Sequence, residues 1–247
     1  MSTRAFPHTL NPARPPQLGV VVLQADETLE PDLRRLIGAE AEVLVTRIPS
    51  GTEVTPDTLA AMEAHLAGAA ALLPAGARFS ALAYACTSGA AQIGPEGVAD
   101  ILRDTTGVAR VTDPVTALVA AAGALGLSRI GLLSPYVSEV SDRIRTVLAG
   151  HGIATPVFGS FDVAEEARVV RIAPRSIREA AVALAAEGGI DALFLSCTNL
   201  RTLDLIEELE RTTGLPVLSS NLVLAWHLSR IAETPLAPGP WGRLAAL

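Results

Sequence analysis

No lysine occurs anywhere in the 247 residues, and all 19 basic side chains are arginine. That absence excludes whole mechanisms. No side chain can hold pyridoxal phosphate as a Schiff base or form an imine with a carbonyl substrate through lysine. None can serve as the phosphate-contacting lysine of a P-loop NTPase or a protein kinase. Cysteine is almost as scarce. Cys86 and Cys197 stand 111 residues apart, with no C-x-x-C and no histidine at ligand spacing beside either. A structural metal site would need about four clustered ligands, so neither a metal nor a cofactor is expected. The histidines, His8, His65, His151 and His227, are scattered, and His227 reads as a packed residue of an apolar helix.

Aromatics make up 4% of the chain and charged residues 18%, against 49% hydrophobic residues. This Ala/Leu/Val-rich composition is that of a globular chain, long enough for one large domain or two small ones. The net charge is −7, with Arg and Asp/Glu interspersed. No basic stripe exists to neutralise phosphates, so nucleic acid is not an expected partner. The uncharged apolar run Ala117 to Leu127 is too short to span a bilayer. The start, MSTRAFPHTLNPARPPQLG, has prolines where a signal peptide would have an apolar core. No membrane partner and a cytoplasmic, reducing location are therefore expected, in which both thiols stay free.

After a loose tail, Leu18 to Leu23 (LGVVVL) reads as a strand buried on both faces. Pro31 and Asp32 open a helix, and Ala41 to Ile48 is a second strand. Thr55-Pro56-Asp57 starts a long Ala/Leu helix. Ala81 to Ala85 is a strand ending at Cys86, Gly94-Pro95-Glu96 begins a helix, and Val108 to Val111 is a short strand. The rhythm then repeats. Arg129 to Leu133 is a strand, Ser138 to Leu148 a helix, and Ile172 to Glu187 contains another helix. Asp191 to Leu195 is a strand ending at Cys197, followed by a helix over Thr202 to Arg211, a strand over Leu215 to Leu218 and a closing helix over Leu222 to Ile231. Strands alternating with helices argue for α/β layers with parallel sheets.

The halves match in detail. Cys86-Thr87-Ser88 leads to LRDTTGVARVTD (Leu102 to Asp113), and Cys197-Thr198-Asn199 leads to LERTTGLPVLSS (Leu209 to Ser220). From Cys to the Gly of T-T-G the spacing is 21 residues in the first and 17 in the second. An internal duplication follows, with one cysteine at the carboxyl end of a strand in each lobe. Ligands of open parallel sheets collect at such ends, where a helix N-terminus lowers a thiol's pKa. Thr87, Ser88, Thr198 and Asn199 supply short polar groups for a carboxylate cradle. Two thiols across one cleft suit proton removal from, or addition to, one face of a substrate and proton delivery to the other. The alternatives are two small buried core residues or a disulfide, which the reducing location disfavours.

The segments AYACTSGAAQIG and FLSCTNLRTLDLIEELE resemble the aspartate/glutamate racemase superfamily, in the branch of maleate cis-trans isomerases, arylmalonate decarboxylases and ectoine-utilisation members. The resemblance runs from about Leu18 to Arg230. It implies that Cys86 is the nucleophile or first-face base and Cys197 the opposite-face acid/base. Arylmalonate decarboxylases keep only the second cysteine, so Cys86 points away from decarboxylation. Tyr136 matches the family tyrosine that hydrogen-bonds a substrate carboxylate. Two family asparagines are replaced, by Asp26 in the first loop and by Glu166. Acids there repel a dicarboxylate but accept an ammonium or ring nitrogen.

The expected architecture is α/β, with two pseudo-symmetric lobes, each a parallel sheet flanked by helices, and the active site in the cleft between them. Residues 1–113 with 221–247 form the N-terminal lobe, its tail at 1–17, and residues 114–220 the C-terminal lobe. The expected activity is cofactor-independent racemisation or isomerisation of a small carboxylate, either a maleate-like dicarboxylate or an amino-acid- or ectoine-derived acid. The alternatives are a decarboxylase relying on Cys197 and a non-catalytic two-lobe binding protein. The helix over Leu59 to Leu73 could cover a second copy in a homo-oligomer or complete its own lobe.

Overall fold

The computed structural model describes residues 3–247. Of the tail expected over 1–17, residues 1 and 2 lie outside the described residues, and 3–16 are exposed without regular structure. Gln17 already belongs to β1 (Gln17–Leu23), which is buried along its whole length. Its branched apolar run is covered on both faces because it lies in the middle of a parallel sheet. β2 (Glu42–Ile48) pairs on one side and β3 (Phe79–Ala85) on the other, with β4 (Val111–Thr112) beyond β3. The second sheet holds β5 (Arg129–Ser134), β6 (Ala154–Ser160), β7 (Ala192–Leu195) and β8 (Val217–Ser219). The orders are β2-β1-β3-β4 and β6-β5-β7-β8, every pairing parallel. The expected duplication is thus a duplication of topology. β6 escapes a reading for apolar runs because it is an edge strand with alternating burial and carries Pro156.

The helices are α1 (Leu29–Ile37), α2 (Pro56–Ala61), α3 (Glu63–Ala70), α4 (Thr87–Ile93), α5 (Pro95–Thr106), α6 (Pro114–Leu125), α7 (Ser138–Gly150), α8 (Glu166–Val169), α9 (Pro174–Ala186), α10 (Ile206–Thr213) and α11 (Ser220–Ala232). α1 starts two residues before Pro31, because Asp26 Oδ1 accepts from the N–H groups of Thr28 and Leu29 at 2.8 Å each. The single helix expected from Thr55 is two, α2 and α3. They divide at Met62, whose N–H reaches back only three residues, to Leu59 O at 3.3 Å. The helix expected over Thr202 to Arg211 opens as a 3-10 turn at Leu203–Leu205.

The T-T-G motifs do the same work twice. Thr106 Oγ1 donates to Leu102 O and Thr213 Oγ1 to Leu209 O, both at 2.7 Å. Gly107 (φ 72°) and Gly214 (φ 75°) then end α5 and α10 in the left-handed region, where glycine carries no Cβ penalty. Each short strand that follows ends in a polar cap: Asp113 for α6 and Ser219 for α11. α6 and α11 pack on each other, and α11 also covers β3 and meets α1. The carboxyl ends of β1, β3, β5 and β7 consequently face one region between the sheets. No helix among the described residues is long and apolar enough to cross a membrane.

Candidate active site

Both cysteines follow directly from strand ends, but their backbones differ. Cys86 continues β3 in extended conformation (φ −148°, ψ 116°) and caps α4, its Sγ accepting from Gly89 N–H at 3.2 Å. Residue 89 must be glycine, since a Cβ there would run into the Tyr84 hydroxyl and lie 3.0 Å from Cys86 Sγ. Cys197 sits at φ 107°, a region a non-glycine residue enters only under strain. No helix starts beside it, so the second helix-end cradle expected from the repeat is replaced by a turn. The Cys197 N–H donates to Ser220 Oγ at 2.9 Å, and its Sγ accepts from Asn199 N–H at 3.3 Å.

Around these thiols the structure brings together all nine residues singled out from sequence. Asp26, Cys86, Thr87, Ser88, Tyr136, Glu166, Cys197, Thr198 and Asn199 line one cavity, with Leu23 as the tenth wall residue. The Tyr136 hydroxyl donates to Glu166 Oε1 at 2.7 Å and lies 3.0 Å from Cys197 Sγ. One phenol proton cannot serve both, so with Glu166 ionised the thiol donates to the phenol oxygen and a chain runs from Cys197 through Tyr136 to Glu166. Asn199 Nδ2 donates to Glu166 Oε2 at 2.8 Å, while Asn199 Oδ1 accepts from Glu27 N–H at 2.9 Å. That one amide ties the first loop to the acid of the second lobe.

Several expected cradle groups are already engaged. Thr87 Oγ1 shares a hydrogen bond with Ser220 Oγ at 2.7 Å, and Thr198 Oγ1 donates to Ala85 O at 3.4 Å. Among the cavity-lining side chains, Ser88 Oγ has no partner, and Asp26 Oδ2 has none beyond the nearby Thr198 hydroxyl, which acts on the Asp26 carboxyl. A polar atom buried without a hydrogen bond costs roughly 1–3 kcal/mol, so both are candidates to meet a ligand. No arginine lines the cavity. Arg47, whose charge acts on Asp26, is held by the carbonyls of Leu23 and Asp26 at 2.9 Å each and by Glu30.

The expectation that the strand-end position lowers the thiol pKa is overturned. Burial pushes Cys86 up to about 12, outweighing the Gly89 N–H and the Tyr84 hydroxyl, and the charges of Glu166 and Asp26 push the same way as burial. Burial likewise holds Cys197 well above the usual thiol range. Burial also raises the carboxyls of Asp26 and Glu166. The reason is the closed cleft. The cavity volume is about 10 Å³, room for about one water molecule. Next to Glu166 the two lobes are bridged, Val54 N–H donating to Ala164 O at 2.9 Å and Glu166 N–H to Thr52 O at 3.2 Å. A ligand larger than water needs the cavity to widen.

Sequence reasoning missed Leu23, Ser220 and Tyr84. Ser220 was legible as the last residue of the polar cap in LERTTGLPVLSS, whereas Leu23 reads as one more residue of a buried strand.

Comparison with known proteins points one way. The family model described as arylmalonate decarboxylase matches residues 53–245. The chain is 30% identical to the maleate isomerase of Nocardia farcinica over 240 residues, covering 92% of this chain and 94% of that one. It is 31% identical to the arylmalonate decarboxylase of Bordetella bronchiseptica over 145 residues, 58% of this chain and 60% of that one. Among solved structures, a Cys-to-Ser mutant of the Nocardia farcinica maleate cis-trans isomerase with a covalently bound succinylcysteine intermediate superposes with a TM-score of 0.81. The identity is 28%, covering 93% of this chain and 98% of that one.

Proposed function

This chain belongs to the arylmalonate decarboxylase family, and we propose that within it the chain isomerises or racemises a small carboxylate that carries a protonated nitrogen. Its similarity to maleate isomerases, one of them with a succinylcysteine intermediate, supports a cysteine-based isomerase, and the proposal concerns what it acts on and how. The observation that carries the reading is a cavity with one thiol from each sheet and two buried acids, lined by no arginine. A dianion such as maleate would meet Asp26 and Glu166 with no cation to offset them. A zwitterion matches the charges: once the cavity widens, its ammonium would meet the Asp26 carboxylate and its carboxylate the Ser88 hydroxyl, which has no partner in the closed state.

The chemistry needs no external base. The Cys197 proton passes to the Tyr136 oxygen while the phenol proton passes to Glu166 Oε1, leaving a thiolate held by Tyr136 and the Asn199 N–H. The raised pKa of Glu166 suits it to accept that proton. The thiolate then takes the proton from the substrate's α carbon, and the Cys86 thiol returns one to the opposite face. On an alkene, Cys86 as thiolate would instead add to carbon, allow rotation and leave, with Cys197 as the opposite-face acid/base.

Proton NMR in deuterium oxide tests the proposal with a panel of α-amino acids alongside maleate. The expected result is loss of the α-proton signal of at least one amino acid, abolished in Cys86→Ser and in Cys197→Ser. Isomerisation of maleate with no amino-acid exchange would overturn the substrate assignment. Release of CO2 would favour the decarboxylase reading that the Bordetella relative also supports.

A further inference from the structure

The chain has two tyrosines and two cysteines, and the fold sets one tyrosine against each cysteine. Tyr136 does so from the cavity wall. Tyr84 does so from behind. It is fully buried on β3, two residues before Cys86. The extended backbone at Cys86 keeps both side chains on the same face of that strand. The two side chains meet at the bare Cα of Gly89. A Cβ there would collide with the Tyr84 hydroxyl and come within 3.0 Å of Cys86 Sγ. That hydroxyl lies 3.7 Å from Met62 Sδ, a weak thioether acceptor, with the Cys86 thiol close enough for the phenol to act on it. A phenol buried this deeply ordinarily finds a better partner.

We propose that Tyr84 is a positioning residue for Cys86, its hydroxyl turning from Met62 Sδ to Cys86 Sγ when the thiol ionises. The Cys86 thiolate would then have one phenol and one backbone N–H, from Gly89, as Cys197 has Tyr136 and the N–H of Asn199. The carboxyls of Asp26 and Glu166 face the same thiol from the cavity and oppose its charge, and Asp113 acts on Tyr84. A donor on the core side is therefore the one place where stabilisation of that thiolate does not compete with substrate. The role in turnover rests on the function proposed above. The contact itself does not.

The test uses full-length protein carrying Cys197→Ser, so that Cys86 is the only thiol, and follows its alkylation by iodoacetamide with mass spectrometry. Below the thiol pKa the rate tracks the thiolate fraction. Loss of one charge-assisted hydrogen bond, worth about one pH unit, should therefore make Tyr84→Phe about tenfold slower at each pH. Met62→Leu should leave the rate within about twofold. In a Cys86→Ser background, Tyr84→Phe should leave alkylation of Cys197 unchanged. A rate for Cys86 unaltered by Tyr84→Phe would overturn the proposal, as would equal slowing by Met62→Leu. Faster alkylation of both thiols would also overturn it, since the hydroxyl would then be holding the core together and not the thiolate. None of these readouts involves substrate. If Cys86→Ser left turnover intact, the proposed reaction would fall while the Tyr84 contact stood. With the reaction confirmed, Tyr84→Phe should lower kcat and leave KM unchanged, because Tyr84 does not line the cavity.

Discussion

The two cysteine half-sites come from one repeated plan and are built differently. Cys86 has relaxed, extended backbone, caps a helix and leans on a core glycine. Cys197 is held at φ 107°, caps nothing and is surrounded by Tyr136, Glu166 and Asn199. Left-handed backbone at a residue with a Cβ costs on the order of 1–3 kcal/mol and persists where neighbours over-determine it. Here the neighbours are the Ser220 hydroxyl and the Asn199 N–H. One half of the site is thus a rigid thiol on a conventional strand end. The other is a strained thiol wired to an acid through a phenol. The duplicated motif stands in two different surroundings.

The largest expected effect is on catalysis. Cys86→Ser and Cys197→Ser should each reduce turnover by about 10³-fold or more, since serine is a far weaker acid and nucleophile than cysteine. A loss confined to Cys197 would break the paired-thiol picture in favour of the decarboxylase pattern. Tyr136→Phe should follow at about 10²-fold in kcat, by cutting the route from Cys197 to Glu166. That exceeds the roughly tenfold loss expected for Tyr84→Phe, which removes a single hydrogen bond to the other thiol. Comparable losses would erase the distinction between the wired and the rigid half-site.

Stability changes are smaller and sharpen the same contrast. Asn199→Ala should lower unfolding free energy in urea by roughly 2–4 kcal/mol, because it strips partners from buried Glu166 and from the Glu27 N–H together. The fourth residue of α1 is buried Asp32 and the fourth of α7 is buried Ser141, so only the first half carries an acid there. Burial raises Asp32 from 3.8 to about 6. The folded state therefore holds this proton more tightly than the unfolded chain. Its contribution is fully present below about pH 4 and is lost as pH rises through about 6, amounting to roughly 2–3 kcal/mol. Asp32→Asn should flatten that decline in melting curves taken between those pH values while keeping an acceptor for Asn221. Smallest of all, Cys86→Gly should destabilise the fold more than Cys197→Gly by about 1–2 kcal/mol, since only the second relieves strain.

Much of the site was legible because it was local. The Cys-Thr pairs, the T-T-G caps and the apolar runs of β1, β3 and β7 depend on residues within about four positions of one another, where hydrogen-bond and burial patterns leave their mark. Asp26 and Glu166 were reachable only through resemblance, as acids standing where the family has amides. The direction of the thiol pKa shift was misread. A strand-end position suggests lowering, but desolvation in a closed cleft opposes it and wins. Tyr84 went unnoticed because a tyrosine inside a strand looks like packing. Its hydroxyl acquires meaning only beside Gly89.

By itself, then, the sequence determined the two-sheet duplication and the equivalent placement of its only cysteines. Those follow from periodicity and capping chemistry, which are short-range. Tertiary structure alone decided that Glu27 and Asn199, 172 residues apart, share a hydrogen bond, that two acids face two thiols in one cavity, and that Cys197 is strained where Cys86 is not. Charge, strain and desolvation depend on what long-range packing brings within a few ångströms.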